Sequence, residues 1–313
     1  MTVSILLATY NGEDYISEQL DSIINQTYKD FILYISDDGS IDNTWNIINE
    51  YSAKDNRIKI LSKHEANKSA CKHFLYILGK VESDLYLFCD QDDVWTLDHI
   101  QIFVEKYNSL SDENKKAPIL IHSDLKVVDS KLNIISNSFI KYNNMPTNPS
   151  KHFYFQMNNV TGCASMINNI LKQYIFSNSK LLKDNINKIP MHDLFFAVIA
   201  DEFGIKIFIP NSLVLYRQHD TNVLSAGTGW GFKQIIKKLF SVTDAKISYK
   251  KNKIFAKFFA DYFKSKLSKT EYNCLITYSK LNEKNKFSRI LFLFKNDFFD
   301  LGFIRNIRSC IIA

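Results

Sequence analysis

The sequence predicts an α/β fold with a mostly parallel central sheet, followed by a smaller helical region of basic character. Three observations lead to this prediction. Apolar strand-like runs alternate with amphipathic helical segments through roughly the first 100 residues, an order typical of βαβ units with right-handed crossovers. Polar clusters follow the predicted carboxyl ends of three of these strands. The balance of charge changes sign near residue 230.

The first part of the chain contains four predicted strands, each a short apolar run that stops at turn residues or at a helix start. They cover residues 3–8, 31–36, 57–61 and 84–89. Helical spacing of apolar residues predicts intervening helices over residues 14–26, 42–51 and 69–78. Ligands of open α/β sheets bind at the carboxyl ends of the strands, so we expect the polar turns there to share one site.

The pattern is less regular after residue 118. We predict strands over residues 119–123, 126–128, 205–209 and 213–216, and helices over residues 169–176 and 191–202. The loop over residues 217–231 carries three glycines, Gly227, Gly229 and Gly231, and is a candidate lid over a bound substrate.

Charge divides the chain into two regions. Residues 231–313 hold 18 Lys and Arg against 6 Asp and Glu, whereas residues 1–230 hold 21 against 27. We therefore expect one domain over residues 1–230 and a separate basic, helical C-terminal region over residues 231–313.

Composition excludes several classes of protein. Apolar residues make up 46% of the chain and charged residues 23%, which is unlike a disordered chain or a coiled-coil rod. The five cysteines form no Cys-x-x-Cys pair, so we expect neither a zinc ribbon nor a disulfide framework, and a reducing compartment fits best. The N-terminus lacks the features of a signal peptide, and the sequence predicts no membrane-spanning helix.

Asp90-Gln91-Asp92 follows the fourth predicted strand and offers two carboxylates two positions apart. One can bind a hard divalent cation and the other a ligand hydroxyl, and oxygen ligation suits Mg²⁺ or Mn²⁺ beside a phosphate-bearing substrate. The alternative is a helix N-cap with acidic first-turn residues. The chain has no glycine-rich phosphate-binding motif, so a diphosphate would be neutralised by metal and side chains.

Two other clusters also have both a functional and a structural interpretation. Asp37-Asp38 could accept hydrogen bonds from a base or a ribose hydroxyl, or could build an Asp-Gly turn. Asp193, at a predicted helix start, could be a general base that takes a proton from a substrate hydroxyl, or a helix cap. Beside a metal, His219 could be a ligand and Arg217 could hold phosphate oxygens.

The order of these motifs resembles that of the family 2 glycosyltransferases with the GT-A fold. The matching segments are Thr9-Tyr10-Asn11-Gly12, Asp37-Asp38-Gly39-Ser40, Asp90-Gln91-Asp92-Asp93-Val94-Trp95, His192-Asp193 and Tyr216-Arg217-Gln218-His219. Segments 123–129 and 159–162 are similar to those of bacterial rhamnosyltransferase-type members, which build cell-wall polysaccharide and O-antigen. The resemblance divides residues 1–230 into a nucleotide-sugar-binding half, 1–118, and an acceptor-binding half, 119–230.

This resemblance implies an inverting, metal-dependent transferase that uses a nucleoside-diphosphate sugar, with dTDP-L-rhamnose as the first expected donor and UDP-hexoses as the second. Asp193 matches the catalytic base, and Asp92 with His219 matches the site for Mg²⁺ or Mn²⁺. The expected donor contacts are Thr9, Tyr10, Asn11, Asp38, Lys72, Asp90, Gln91 and Arg217. The candidate acceptor contacts are Trp95, Asp124 and His192, with a core role for Trp95 and a turn role for Asp124 as alternatives.

The C-terminal region mixes Lys with Phe, Ile and Leu. Basic amphipathic helices can lie on anionic membrane surfaces, or can pack on a neighbouring domain with their lysines solvated. The resemblance implies a polyprenyl-diphosphate-linked glycan as acceptor, and hence a cytoplasmic enzyme bound peripherally at the inner face of the cell membrane. A homodimer through this region is a further option. We do not expect nucleic acid as a partner, because residues 1–230 are net acidic and carry no recognition motif.

Two other classes of protein compete with this interpretation. A nucleotidyltransferase would also use carboxylates and a metal, but it needs a glycine-rich basic first loop that residues 9–12 do not provide. A non-catalytic sugar-nucleotide-binding module would not need Asp193 together with Asp90 and Asp92. Release of nucleoside diphosphate from nucleotide sugars distinguishes a transferase from both.

Overall fold

The computed structural model describes residues 1–63, 69–218 and 242–298. Two of the sequence-based predictions therefore lie outside the described residues. They are the metal ligand His219 and the candidate glycine lid with Gly227, Gly229 and Gly231.

The chain forms two compact units. The sheet unit comprises residues 1–143, 160–176 and 191–226, and the C-terminal unit comprises residues 144–159, 177–190 and 227–313. The chain passes between the two units at several points, and the change of charge near residue 230 lies close to only one of them. Residues 144–159 and 177–190, which we expected in the first domain, belong to the C-terminal unit because they bond to its helices. The Tyr278 hydroxyl donates to the Phe155 carbonyl at 3.1 Å, and the Asn178 amide donates to the Tyr262 hydroxyl at 3.1 Å.

The sheet unit contains nine strands and seven α-helices within its described residues. The strands are β1 Val3–Thr9, β2 Ile32–Asp37, β3 Ile58–Lys63, β4 Leu85–Cys89, β5 Val94–Trp95, β6 Ile119–Val128, β7 Ile134–Ser136, β8 Ser165–Asn168 and β9 Ile205–Arg217. The helices are α1 Ile16–Ile24, α2 Thr44–Lys54, α3 Ala70–Lys80, α4 His99–Asn108, α5 Phe139–Tyr142, α6 Asn169–Ile175 and α8 His192–Phe203. The helix between the last two in sequence belongs to the C-terminal unit and is given below as α7.

The strands form one sheet in the order β3-β2-β1-β4-β8-β6-β9-β5, with β7 paired to β6. The first four strands in this order are parallel, as the alternating sequence pattern predicted. β8 then runs antiparallel to both β4 and β6, and β6 and β9 are parallel. Every residue of β4 is buried, so both faces of the sheet are covered there, and this explains the continuous apolar run in the sequence.

Two pairs of predicted strands are in fact single strands. The segments 119–123 and 126–128 join in β6, and the segments 205–209 and 213–216 join in β9. The composition of residues 210–212, Pro-Asn-Ser, is typical of a turn. In the structure these residues stay within β9, where the register between β6 and β9 shifts. A proline is tolerated at such a bulge because it need not donate to the ladder.

The C-terminal unit is helical, as predicted. Its described α-helices are α7 Ser179–Asn185, α9 Val242–Tyr262, α10 Lys269–Ser279 and α11 Lys286–Lys295. Fully buried apolar and aromatic side chains form its core, among them Phe255, Phe259, Leu275 and Tyr278. Across the described residues, no helix combines the length and the apolar character that crossing a bilayer requires.

Candidate active site

The carboxyl ends of three adjacent parallel strands meet at one edge of the sheet. Thr9 at the end of β1 lies beside Asp37 at the end of β2, and its hydroxyl donates to the Asp37 carboxylate at 3.0 Å. The turn after β4 is tied to the turn after β1 by Gln91, which accepts from the Tyr10 amide at 2.8 Å and donates to the Tyr10 carbonyl at 3.0 Å. The structure therefore brings together the three polar turns that the sequence placed at strand ends.

The two aspartates at the carboxyl end of β2, Asp37 and Asp38, have different surroundings. Asp37 is fully buried, and its carboxylate accepts from Thr9 and from the Gly39 and Ser40 amides at 3.2 and 2.8 Å. This favours the turn-building interpretation for Asp37. The backbone amide of Asp38 donates to the Thr9 carbonyl at 2.8 Å, which fixes Asp38 at the strand end where a nucleotide contact is predicted.

The turn after β1 is held from both sides. The side-chain oxygen of Asn11 accepts from the Ile41 backbone amide at 3.0 Å. The backbone amide of Asn11 donates to the Ser40 hydroxyl at 2.8 Å. A Cβ atom on Gly12 would lie 2.4 Å from the Gln91 side-chain oxygen, so any other residue here would displace the Gln91 amide from its bonds to Tyr10. Tyr10 is 52% exposed and is the side chain of this turn that remains open for stacking on a ligand.

The turn after β4 concentrates negative charge. Burial, and then the charges of Asp92 and Asp193, raise the pKa of Asp90 to about 7. Burial and the charges of Asp92 and Asp90 raise the pKa of the fully buried Asp93 well above its usual range. Asp193 is distant in sequence from this turn, yet it lies close enough in the fold for its charge to act on Asp90.

The donor atoms of this cluster suit a hard divalent cation. Oxygen atoms of Asp90 and Asp93 and the Cys163 sulfur lie within 4.8 Å of one another. Burial raises the pKa of the Cys163 thiol well above its usual range, so the thiol stays protonated and the carboxylates are the metal ligands on offer. Asp92 is half-buried at the same turn, where a cation would offset the repulsion.

An aromatic cluster holds Asp193 near this turn. Its neighbour His192, at the start of α8, lies 4.3 Å from Phe74 of α3 and 5.6 Å from Phe88 of β4, measured between ring centroids. Because Phe88 precedes Asp90 by two residues, these contacts set the start of α8 against the end of β4.

Asp193 is 4% exposed, and both of its carboxylate oxygens bond to the backbone. One accepts from the Gly162 amide at 3.2 Å and the other from the Leu194 amide at 2.6 Å. Each carboxylate oxygen has two lone pairs, so these bonds orient the group and still leave capacity to accept from a hydroxyl.

His192 is placed as a core residue rather than as an acceptor contact. It is 2% exposed, and within the described part of the chain neither ring nitrogen has a hydrogen-bond partner. Burial lowers the pKa of His192 to about 3, so the ring is neutral. A Cβ atom on Gly162 would lie 2.6 Å from the ring nitrogen Nε2, which explains the glycine in the Thr161-Gly162 pair.

Arg217, at the end of β9, ties three parts of the sheet unit together. Its side chain is 2% exposed and donates to the Asp92 carbonyl at 2.7 Å, to the Ser130 carbonyl at 2.6 Å and to the Glu18 carboxylate. Its backbone amide donates to Asp93 at 3.0 Å. All three guanidinium nitrogens thus have protein partners, which favours a positioning role for Arg217 over the predicted grip on donor phosphates.

Trp95 also differs from a sugar-stacking residue. It is 3% exposed, its indole nitrogen donates to the Cys163 carbonyl at 3.2 Å, and its ring stacks on His99 with the centroids 3.9 Å apart. This placement favours the core alternative for Trp95. Sequence analysis could not distinguish the two roles, because a single sequence does not show whether a tryptophan is buried in the core or exposed to a sugar.

Asp124 caps a short helix. It is 5% exposed, and its carboxylate accepts from the Ser138 hydroxyl at 2.5 Å and from the Ile140 amide at 3.1 Å, at the start of α5. Asp124 lies within β6 and not in a turn, so the turn alternative is wrong, and these bonds favour a structural role over an acceptor contact. Lys72, half-buried in the first turn of α3, stays a predicted donor contact.

Comparison with known proteins gives a family. The sequence model described as Glycosyl transferase family 2 matches residues 4–172. The dTDP-rhamnosyl transferase RfbG of Shigella flexneri is 30% identical over 244 residues, which cover 74% of this chain and 78% of that protein. A UDP-Glc:alpha-D-GlcNAc-diphosphoundecaprenol beta-1,3-glucosyltransferase of Escherichia coli, WfaP, is 40% identical over 93 residues, which cover 30% of this chain and 36% of that protein.

Solved structures share the fold. TarS residues 1–349 from S. aureus in complex with UDP-GlcNAc superimposes with a TM-score of 0.51 at 16% identity, over 99% of this chain and 90% of that chain. The mannosyltransferase PcManGT of Pyrobaculum calidifontis, in complex with GDP-Man and Mn²⁺, gives a TM-score of 0.51 at 14% identity, over 97% and 86% of the two chains. These likenesses confirm the predicted GT-A fold.

Proposed function

Because this chain belongs to glycosyl transferase family 2, we propose that it transfers L-rhamnose from dTDP-L-rhamnose to a hydroxyl group of a lipid-linked glycan. Family membership makes it an enzyme that transfers a hexose from a nucleotide-sugar donor. The choice of rhamnose is supported by the 30% identity to a dTDP-rhamnosyl transferase over 74% of the chain.

One observation supports the reaction. Asp193 lies close enough to the acidic turn after β4 for its charge to raise the pKa of Asp90. In the proposed reaction the acceptor oxygen attacks the anomeric carbon as Asp193 takes its proton. The bond from that carbon to the diphosphate oxygen breaks on the opposite side, so the configuration inverts and the nucleoside diphosphate leaves. Backbone bonds from Gly162 and Leu194 hold the Asp193 carboxylate in one orientation for this transfer.

The acidic turn fits the divalent cation that the proposal includes. Asp92 would hold Mg²⁺ or Mn²⁺, with Asp90 beside it and the predicted ligand His219 from the chain after β9. When bound, such a cation offsets the negative charge that develops on the leaving diphosphate. Activity is expected to fall on treatment with EDTA and to return with Mn²⁺ or Mg²⁺, whereas full activity after exhaustive chelation would remove the metal from the proposal.

A UDP-hexose is the second candidate donor. It is favoured by the higher identity to the E. coli glucosyltransferase, although that match covers a smaller share of the chain. The two donors are distinguished by incubating the protein with Mn²⁺ and either dTDP-L-rhamnose or UDP-glucose, and by measuring thermal stabilisation and slow nucleoside-diphosphate release. The proposal requires the larger values of both with dTDP-L-rhamnose, and a reversed order in both would assign the UDP-hexose.

The proposed acceptor places the enzyme at the inner face of the cell membrane, and α11 supplies a surface for this contact. Phe287, Leu291 and Phe294 are 77%, 40% and 72% exposed and recur at the spacing of one helix face. Lys286 and Lys295 stand at the two ends of the same helix. An exposed apolar face between lysines is typical of helices that lie in an anionic membrane interface.

Flotation with phosphatidylglycerol vesicles tests this membrane contact. We expect the wild-type protein to co-float at low salt, and the double variant Phe287→Ser/Phe294→Ser to bind about tenfold or more weakly because two large apolar side chains no longer insert. Ile41→Ser is the matched control, since Ile41 is 90% exposed in the sheet unit. Absence of wild-type co-flotation at low salt, or equal loss in the control, would reject α11 as a membrane-binding surface.

A further inference from the structure

The C-terminal unit contains a cavity of about 650 Å³ whose wall is rich in lysine. It lies between α7, α9 and the segment after α10. Its cationic lining residues are Lys188, Lys250, Lys253, Lys257 and Lys280. The acidic residue in the same wall is Asp261, which already pairs with the Lys257 ammonium at 2.7 Å. The cavity is therefore strongly positive.

Lys253 is the most buried of these cations. It is 5% exposed, donates to the Asn282 side chain, and lies 3.9 Å from the centroid of the Tyr249 ring. Among the described residues no carboxylate lies within ion-pair distance of it. Burying an ammonium group without a countercharge is unfavourable, and burial together with the positive charge of Arg289 lowers the pKa of Lys253 to about 8. A bound anion would supply the missing charge.

The rest of the cavity wall combines the polar residues Asn185, Ser279 and Asn282 with an apolar patch. Leu181, Ile254 and Phe258 form this patch, and Ile254 is 42% exposed although its neighbours on α9 are buried in the core. Lys250, Ile254 and Phe258 are four residues apart in sequence, so they share one face of α9. A free inorganic anion would satisfy the lysines but would leave this apolar patch uncovered.

We propose that the cavity binds the phosphate or diphosphate head group of a lipid, with the first carbons of the hydrocarbon chain against Leu181, Ile254 and Phe258. The lysines supply charge-assisted hydrogen bonds to the phosphate oxygens, and the apolar patch selects a lipid over a soluble phosphate. All of these groups belong to the C-terminal unit, so the site goes beyond the proposed sugar transfer and can be tested without it.

Isothermal titration of the full chain with farnesyl diphosphate tests the proposal. The titration contains EDTA and saturating dTDP, which occupies the nucleotide site and prevents the probe from binding there. Separate titrations with inorganic pyrophosphate and with farnesol measure the affinity for the head group alone and for the hydrocarbon chain alone. We expect farnesyl diphosphate to bind and each fragment to bind at least tenfold more weakly. No binding of farnesyl diphosphate in the presence of dTDP, or equal binding of pyrophosphate, would overturn the proposal.

Lysine variants locate the binding site. Lys253→Met keeps the length of the buried side chain but removes its charge. Lys250→Gln changes a lysine of the same wall that is exposed, so we expect this variant to fold like the wild type. Each is expected to weaken farnesyl diphosphate binding by about tenfold, the scale of one lost charge-assisted hydrogen bond. Lys251→Met is the matched control, because Lys251 is exposed on α9 and does not line the cavity.

The variants also separate this proposal from the proposed function. Slow nucleoside-diphosphate release from the sugar donor, measured without lipid, should be unchanged in Lys250→Gln. Unaltered lipid binding in both Lys250→Gln and Lys253→Met, or an equal loss in Lys251→Met, would overturn the site while leaving the transferase proposal intact.

Discussion

The sheet unit and the C-terminal unit each bring like charges together at one place, and the sign of the charge differs between them. At the end of β4, Asp90 and Asp92 repel each other and Asp193. In the C-terminal cavity, Lys253 is buried without a carboxylate in the described part of the chain. Such charge is unfavourable in the protein alone and becomes favourable when a ligand of opposite sign binds. The proposed cation at the end of β4 and the proposed anion in the C-terminal cavity both rest on this difference.

Other charged groups in both units are compensated internally, and they mark structure rather than binding. Arg217 in the sheet unit pairs with Glu18, and Glu271 in the C-terminal unit pairs with Lys151 and His152. The difference between compensated and uncompensated charge can be tested in each unit, because a compensated group should affect stability and an uncompensated group should affect function.

The largest expected effect is on catalysis. Asp193→Asn should bind the nucleotide-sugar donor normally and should lose about 10²–10⁴-fold in transfer rate, because the amide cannot take the proton of the acceptor hydroxyl. Donor binding by calorimetry and turnover by nucleoside-diphosphate release measure the two properties separately. Asp201→Asn, on the same helix and paired with Lys206, is the control. Near-full turnover in Asp193→Asn would reject Asp193 as the base.

A smaller effect is expected when a compensated arginine is changed. Arg217→Lys keeps the charge but leaves at least two of the three side-chain bonds unmade, so the free energy of unfolding should fall by about 2–4 kcal/mol. Arg57→Lys is the control, since Arg57 forms its ion pair with Asp55 in a less buried position. If Arg217→Lys unfolds like the wild type in urea but binds the donor more weakly, Arg217 holds phosphate as first predicted.

The smallest effect is expected in the C-terminal unit and depends on pH. Burial alone would raise the pKa of Glu271, but hydrogen bonds from His152 and Lys151 at 2.8 and 2.6 Å outweigh it and hold the pKa below its usual value. A depressed folded-state pKa gives stability that is fully present above the ordinary pKa of about 4.3 and is lost as pH falls through the folded-state value.

Glu271→Gln should therefore lower the free energy of unfolding by about 1–3 kcal/mol at pH 7, and the gap to the wild type should narrow as the pH falls below about 4. Urea denaturation at several pH values measures this gap. Glu283→Gln, at an exposed glutamate of the same unit, should leave stability unchanged. A gap that stays constant with pH would show that the ion pairs of Glu271 do not stabilise the unit.

Sequence analysis predicted the parallel half of the sheet because its strands are continuous apolar runs that stop at polar turns. It was less successful where a strand contains turn-like residues. Pro210-Asn211-Ser212 suggested a break, but the ladder between β6 and β9 continues around them. Local composition cannot show that a neighbouring strand will hold such a segment in register.

Within the site, the residue types and their order were sufficient to predict which turns carry the chemistry, because carboxylates after parallel strands must emerge at one edge of a sheet. They were not sufficient to tell Asp37 from Asp38, or to place Trp95 and Asp124. Those distinctions depend on which hydroxyl or amide of a distant segment lies within bonding distance of each side chain.

The sequence by itself determined the family, the alternation of strands and helices, and the separation of acidic from basic regions, because these follow from motif order, periodicity and charge along one chain. Only the tertiary structure decided that Asp193 approaches Asp90, that Arg217 binds Glu18 rather than facing outward, and that lysines of α9 surround a cavity. Each of these depends on contacts between residues far apart in sequence, and such contacts exist only once the chain has folded.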